Sequence, residues 1–184
     1  NIPSFELFTS PDWRGTSGWI RFNQPLYRYS NKITGIELVF ENGRVVKSKA
    51  KTNEKLLKEM IATKGADKIG EFSLTDKRFS RITKFMAETL FDENMGGPHG
   101  NTHIAVGMSY RDTYAGDPSK LSKKETEALG FNDSSVHTDM ISTAPRTVTA
   151  HLKNGKEIVI YKHGQFVLWD NFIEWLKGDG EKIE

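Results

Sequence analysis

The sequence contains no cysteine. Disulfides and thiolate metal sites are therefore excluded, and with them the usual structural zinc frameworks. No apolar run approaches the roughly 18 residues of a membrane-spanning helix, and the N-terminus lacks the basic-then-apolar layout of a signal peptide. An excess of one charge sign is missing too: 26 Lys and Arg stand against 24 Asp and Glu, for a net charge of +2. No polybasic block extends beyond a pair such as Lys123-Lys124, so neither nucleic acid nor an anionic membrane is expected as a partner. A soluble, cytoplasmic protein is the expectation. The chain opens at Asn1 rather than Met and runs straight into sequence of structured character, as expected of a piece of a longer protein.

What is present is the composition of an ordinary folded chain, and 184 residues are enough for one domain with its own core, 1–184. Pro3 and Pro11 bracket Phe5, Leu7 and Phe8, which predicts a strand or extended loop rather than a helix. Glu6, in the middle, points either to solvent or to a ligand, and simple alternation favours solvent. From Thr16 to Tyr29, aromatic residues interrupted by Pro25 read as two short strands or one interrupted edge strand. Asn42-Gly43 predicts a tight type I′ hairpin with Phe40 opposite Val45 and Glu41 opposite Arg44. Leu56, Leu57, Met60 and Ile61 form a helical stripe, with Thr52 or Asn53 as N-cap and Gly65 just past the end.

In ADKIGEFSL, alternation puts Ile69, Glu71 and Ser73 on one strand face and Phe72 and Leu74 on the other. Gly70 would let another segment approach closely, while the ordinary fate of Glu71 is a solvated strand carboxylate. Residues 81–91 fit both periods and are read as a strand leading into a loop at Asp92. HIAVGMSY reads as a strand, and Ser122 with Glu125 predicts a capping box opening a short helix that ends at Gly130. A second Asn-Gly pair, Asn154-Gly155, predicts a hairpin with Val148 across from Tyr161, Ala150 across from Val159, and His151 opposite Ile158. His163 falls near the end of the return strand, and both histidines are expected to be ordinary strand residues. Asp170 is expected to cap a terminal helix with Phe172, Ile173 and Leu176 inward. These elements predict an α+β fold: a mixed, largely antiparallel β-sheet with hairpins and a few short helices.

The chemistry concentrates in FDENMGGPHGNTHIAVGMSY, which offers Asp92, Glu93, His99, His103 and Tyr110, and in NDSSVHTDM, with His137 and Asp139. Imidazoles and carboxylates without thiolates suit zinc, cobalt or manganese. His99 and His103 are spaced for one helix face, but Pro98 and the glycines around it argue against a helix there. His137 and Asp139, two apart on a strand, project to the same side. A lone triplet of that kind is more often coincidence than site. The combination carries more: Glu6, Glu71, Glu93, His103, His137 and Asp139 all lie beside apolar or small residues, where a charge is costly unless paired or metal-bound. Such a set would satisfy two metals that share one carboxylate.

Four segments in order, NIPSFELFTSPD, KIGEFSL, LFDENMGGPHGNTHIAVGMSY and NDSSVHTDMI, resemble the motifs of the M29 family of metallo-aminopeptidases. The resemblance extends over essentially the whole chain. Because the family enzymes are longer, two-domain proteins, it implies a C-terminal, metal-binding portion and a homo-oligomer for the full-length protein. It implies Glu6, Glu71, His103, His137 and Asp139 as metal ligands, Glu93 as a further ligand or else the general base, and Tyr110 as the catalytic tyrosine. The cofactor implied is two divalent ions, zinc or cobalt foremost, with manganese and magnesium as alternatives. Glu71 is chosen as the bridging carboxylate, and the substrate implied is a peptide with a free N-terminus. One departure matters: MGGPHGNT is longer than the family's link; HIAVG carries the match, so the ligand is placed at His103 and His99 falls in an insertion. A rival expectation is a catalytically incomplete metal-binding fragment acting as a binding or oligomerisation module. A third is a purely structural metal, or none.

Overall fold

Short runs of alternating character separated by turn residues give this chain many brief strands and few helices. The computed structural model describes residues 5–84 and 92–167. Its strands are β1 (Glu6–Thr9), β2 (Gly18–Arg21), β3 (Leu26–Arg28), β4 (Asn31–Ile33), β5 (Glu37–Glu41), β6 (Arg44–Lys49), β7 (Ile69–Thr75), β8 (Asn101–Gly107), β9 (His137–Ser142), β10 (Thr147–His151), β11 (Glu157–Lys162) and β12 (Gln165–Phe166). The α-helices among the described residues are α1 (Glu54–Ile61) and α2 (Lys123–Ala128), accompanied by four single-turn 3-10 helices. The sheets run β1-β7-β8-β9, β10-β11-β12, β2-β5-β6 and β3-β4, with antiparallel pairing throughout the described strands. This is the expected α+β architecture. Among the described residues, no helix is long and apolar enough to cross a membrane.

The four-stranded sheet has two unlike faces. One carries Ile69, Ile104, Val106 and Met140 into the core with Leu57, Met60 and Ile61 of α1 and Leu38 and Phe40 of β5. Burying each of these large side chains contributes about 1.5–3 kcal/mol, so this side anchors the sheet. The other face is polar and carries the candidate site. Ile69 was expected to share a face with Glu71, and does not, because the register shifts between them. Gly70 is the extra residue of a bulge, and one inserted residue reverses the alternation. The predicted close approach at Gly70 is present: a β-carbon there would lie 2.2 Å from the Met108 carbonyl oxygen.

Local turn chemistry was read well at Asn42-Gly43, where φ is 49° and 80° and Phe40 faces Val45 while Glu41 faces Arg44. Residues 16–29 form two short strands, and Ser122 with Glu125 makes the capping box. Asn53 sits at the N-cap of α1, but in left-handed conformation and without a capping bond. Its amide and the Thr52 hydroxyl both donate instead to the Lys32 carbonyl. The second hairpin needs a larger correction. Val148 faces Tyr161, but a bulge between Val148 and Thr149 sets Ala150 against Ile158 and His151 against Glu157. Its turn closes from Leu152 to Gly155, with positive φ at Gly155 and not at Asn154. His163, with φ of 54°, lies in the turn after β11 rather than in the strand. Residues 81–84 are not strand. The rest of that expected strand and the Asp170 helix lie outside the described residues.

Asp76, at the end of β7, ties the β10-β11-β12 sheet to the site-bearing sheet. Its carboxylate, 1% exposed, accepts from the Phe166 backbone at 2.9 Å and from the Arg78 guanidinium at 2.7 and 3.0 Å. Burial alone would raise its pKa, but the hydrogen bonds from Arg78 prevail and hold it below 3.8. Asp76→Ala is expected to cost about 2 kcal/mol near pH 7, because it removes the buried acceptor of the Phe166 N–H and of the Arg78 guanidinium, which keeps its bond to the Phe166 carbonyl. A depressed carboxylate contributes fully above its unfolded value and loses the contribution as pH falls through its folded value. Urea unfolding of both proteins should therefore show a gap that is constant above about pH 5 and shrinks below about pH 4. A gap unchanged down to pH 3 would refute the ion-pair account.

Candidate metal centre

Across antiparallel neighbours, residues directly opposite one another share a face of the sheet. One such row is Phe8, Ser73, His103 and Ile141; the next is Glu71, Ala105 and Asp139; a third pairs Gly107 with His137. Glu6, opposite Thr75 and two residues from Phe8, is on the same side. Five expected ligands from four strands thus meet on one surface. Ala105, fully buried between Glu71 and Asp139, contributes only a methyl and leaves space above it for their carboxylates.

His103 Nε2 lies 3.1 Å from Glu71 Oε1, 3.2 Å from Glu6 Oε1 and 3.8 Å from Asp139 Oδ1. His137 Nε2 is 3.5 Å from both Glu71 Oε2 and Asp139 Oδ1. The two oxygens of Glu71 are therefore divided between the two imidazoles. Ligand atoms within 4.8 Å of one another form two groups, Glu6-Glu71-His103 and Glu71-His137-Asp139, which have Glu71 in common. Oxygen and nitrogen donors in such overlapping triads fit a divalent cation.

Glu6 and Glu71 were expected in solvent and are instead 3% and 5% exposed. Alternation identified the face correctly but not what lies over it. Around Glu6 the inward face is polar, so Leu7, on the other side, is the exposed one at 65%. The Ser73 hydroxyl donates to Glu6 Oε1 at 2.5 Å, and the Asn94 amide donates to Oε2. These bonds compensate its desolvation.

The carboxylates and imidazoles of the cluster stabilise one another's charged forms. Burial would raise the Glu71 pKa, yet hydrogen bonds from His103 and His137 outweigh it and hold the group at about 2. Burial would lower the His137 pKa, but Asp139 and Glu71 push it up to about 10. His103 is raised as well, its desolvation overcome by Glu71, Asp139 and Glu6. The Met108 carbonyl accepts from His137 Nδ1 at 2.7 Å, which leaves Nε2 aimed at the two carboxylates.

A cavity of about 380 Å³ opens onto this face, lined by Glu6, Phe8, Glu71, Glu93, Tyr110, Asp112, His137 and Asp139. Glu93 stands outside both triads. Its pKa is raised, first by burial and then by repulsion from Asp139 and Glu6 against a lowering backbone hydrogen bond and His103. The Tyr110 ring packs at 4.5 Å on the His137 imidazole and 6.2 Å from Phe8. Its phenol is raised by burial and by the carboxylates around it. His99 is exposed and belongs to neither triad. Ser73, Asn94, Phe8 and Asp112 went unrecognised from sequence as members of the site. Ser73 could have been found, since it shares a strand face with Glu71, and Asn94 closes the Asp-Glu-Asn triplet; for Phe8 and Asp112 the sequence carries no comparable signal.

The chain is 35% identical over 170 residues to Aminopeptidase 2 of Geobacillus stearothermophilus, covering 90% of this chain and 40% of that protein. It is 33% identical over 170 residues to Aminopeptidase AmpS of Bacillus subtilis, with the same shares. The structure of wild-type AmpT from Thermus thermophilus superposes with a TM-score of 0.74 at 27% identity, over 89% of this chain and 39% of that one. The chain thus spans about 40% of the length of the curated relatives it matches. Residues 1–166, which hold all the segments meeting in the cavity, match the model of the family described as thermophilic metalloprotease (M29), and the chain belongs to that family.

Proposed function

We propose that this chain carries the co-catalytic centre of a metal-dependent aminopeptidase, acting on peptides with a free N-terminus. One observation carries the reading: Glu71 belongs to both triads, with one oxygen directed to each. Glu6, Glu71 and His103 would hold one divalent ion and Glu71, His137 and Asp139 a second, with Glu71 common to both sets. When bound, two divalent ions of the zinc or cobalt type supply Lewis acidity, lowering the pKa of water and polarising the scissile carbonyl.

The chain's own groups do the rest. Glu93, set back from the triads, accepts the proton of the attacking water and returns it to the departing amine. Tyr110, at the cavity wall, donates a hydrogen bond to the carbonyl oxygen as negative charge develops there. Phe8 and Tyr110 form an apolar wall, while the surrounding carboxylates favour a cationic α-ammonium over an acylated N-terminus.

The test is chelation followed by metal return, with hydrolysis of an aminoacyl arylamide as the readout. Activity should vanish with chelator and return with zinc or cobalt, and N-acetylation of the substrate should abolish it. A metal concentration about 100-fold above Kd adds about 2.7 kcal/mol per site, enough to raise Tm by roughly 5–10 °C. Hydrolysis that persists in excess chelator would overturn the reading. A Tm that rises with metal while hydrolysis never appears would favour the metal-binding fragment instead.

A further inference from the structure

We propose that Ser10 is a positioning residue for Tyr110, holding the phenol at the cation sites by anchoring its backbone from the end of the edge strand β1. This rests on the role given to Tyr110 above. In the sheet order, β7 separates β1 from β8, so no ladder bond joins the end of β1 to the end of β8. The chain leaving β8 nevertheless crosses over β7 at Gly70, where the absent side chain lets Met108 pass. On one side, Met108 and Ser109 are fixed by backbone bonds to Val136 and Asn132 at 2.7 and 2.9 Å. On the other, the Tyr110 N–H donates to Ser10 Oγ at 2.8 Å, and Thr113 Oγ1 donates to the Tyr110 carbonyl at 2.9 Å. Both backbone polar groups of Tyr110 are therefore held by hydroxyls.

The anchor matters because, among the described residues, the ring lies at the cavity wall outside the apolar core. Tyr110 is 38% exposed, and its aromatic contacts are Phe8 and His137, neither of them part of the apolar core. Two rotatable bonds join its Cα to the ring, so displacement of the backbone carries directly to the phenol oxygen. Ser10 also directly follows β1, which supplies both Glu6 and Phe8. The same strand that contributes a cation-site carboxylate thus sets the height of the phenol above it.

Two readouts test this, one independent of metal and turnover. In the metal-free protein, Ser10→Ala should accelerate amide hydrogen exchange at Tyr110 about tenfold while Ser109 stays protected, and Ser10→Thr, which keeps the hydroxyl, should restore protection. In the full-length, metal-loaded protein, Ser10→Ala should lower kcat about fivefold with KM little changed, and Ser10→Thr should recover most of it. On a Tyr110→Phe background, Ser10→Ala should cause no further loss, since the group it positions is gone. Equal loss in both backgrounds, or unchanged Tyr110 exchange in Ser10→Ala, would overturn the proposal. Should Tyr110→Phe itself leave kcat unchanged, the catalytic role of Tyr110 falls, and a positioning role for Ser10 falls with it.

Discussion

Replacing Glu71 with Gln is expected to empty both cation sites at once. Loss of Glu6 or His137 would remove a ligand from one triad, but Glu71 belongs to both, and its two oxygens face different imidazoles. An amide offers one weak neutral oxygen where the carboxylate offers two charged ones, and its NH₂ would point at a cation or at an imidazole donor. Even outer partners of metal ligands are worth about 10–100-fold in affinity, so losing a shared ligand should exceed that at each site. Elemental analysis after gel filtration should find two ions per wild-type chain and fewer than half an ion in the variant, with turnover reduced by at least about 10³-fold. The comparison with Glu6→Gln makes the result specific, since that variant should keep the ion held by His137 and Asp139. If Glu71→Gln retained one full ion, Glu71 would be a terminal ligand and the bridge would have to be reassigned.

How far this centre was legible follows from what alternation can and cannot report. His137 and Asp139 were legible as a pair because two residues on a strand share a face whatever packs against it. Glu6 and Glu71 were harder. Their side was readable but not their surroundings, and the usual rule that a carboxylate between apolar residues faces water fails where three other strands bring imidazoles and hydroxyls to meet it. The bulge at Gly70 was hidden for a related reason. A glycine in a strand marks either a bulge or a close approach, and here it is both, reversing the phase at Ile69 and admitting the chain from β8. Turns fared according to how local they are: Asn42-Gly43 is decided by its own backbone angles, while the register beyond Asn154-Gly155 was displaced by a bulge several residues away. The fold class was readable from local pattern, whereas the meeting of Ser10 with Tyr110 across an intervening strand depends on tertiary geometry alone.

Tyr110→Phe is the second large effect expected, and its signature differs from that of Glu71→Gln. Removing only the phenolic oxygen leaves the ring on His137 and Phe8 and the backbone bond to Ser10, so metal content and Tm should match wild type. What is lost is a donor whose hydrogen bond strengthens as the carbonyl oxygen takes on charge. Single donors of that kind are worth about 10²–10³-fold in kcat. Because the interaction belongs to the transition state, kcat and kcat/KM should fall together with KM nearly unchanged. Burial and the neighbouring carboxylates raise the Tyr110 pKa, which keeps the phenol protonated and able to donate. A Tyr110→Phe protein that lost metal would show the tyrosine to be structural, and one that lost substrate binding alone would place it in ground-state recognition. A fall in kcat with both ions retained would separate the oxyanion donor from the cation sites and leave Glu93 as the group to test for proton transfer.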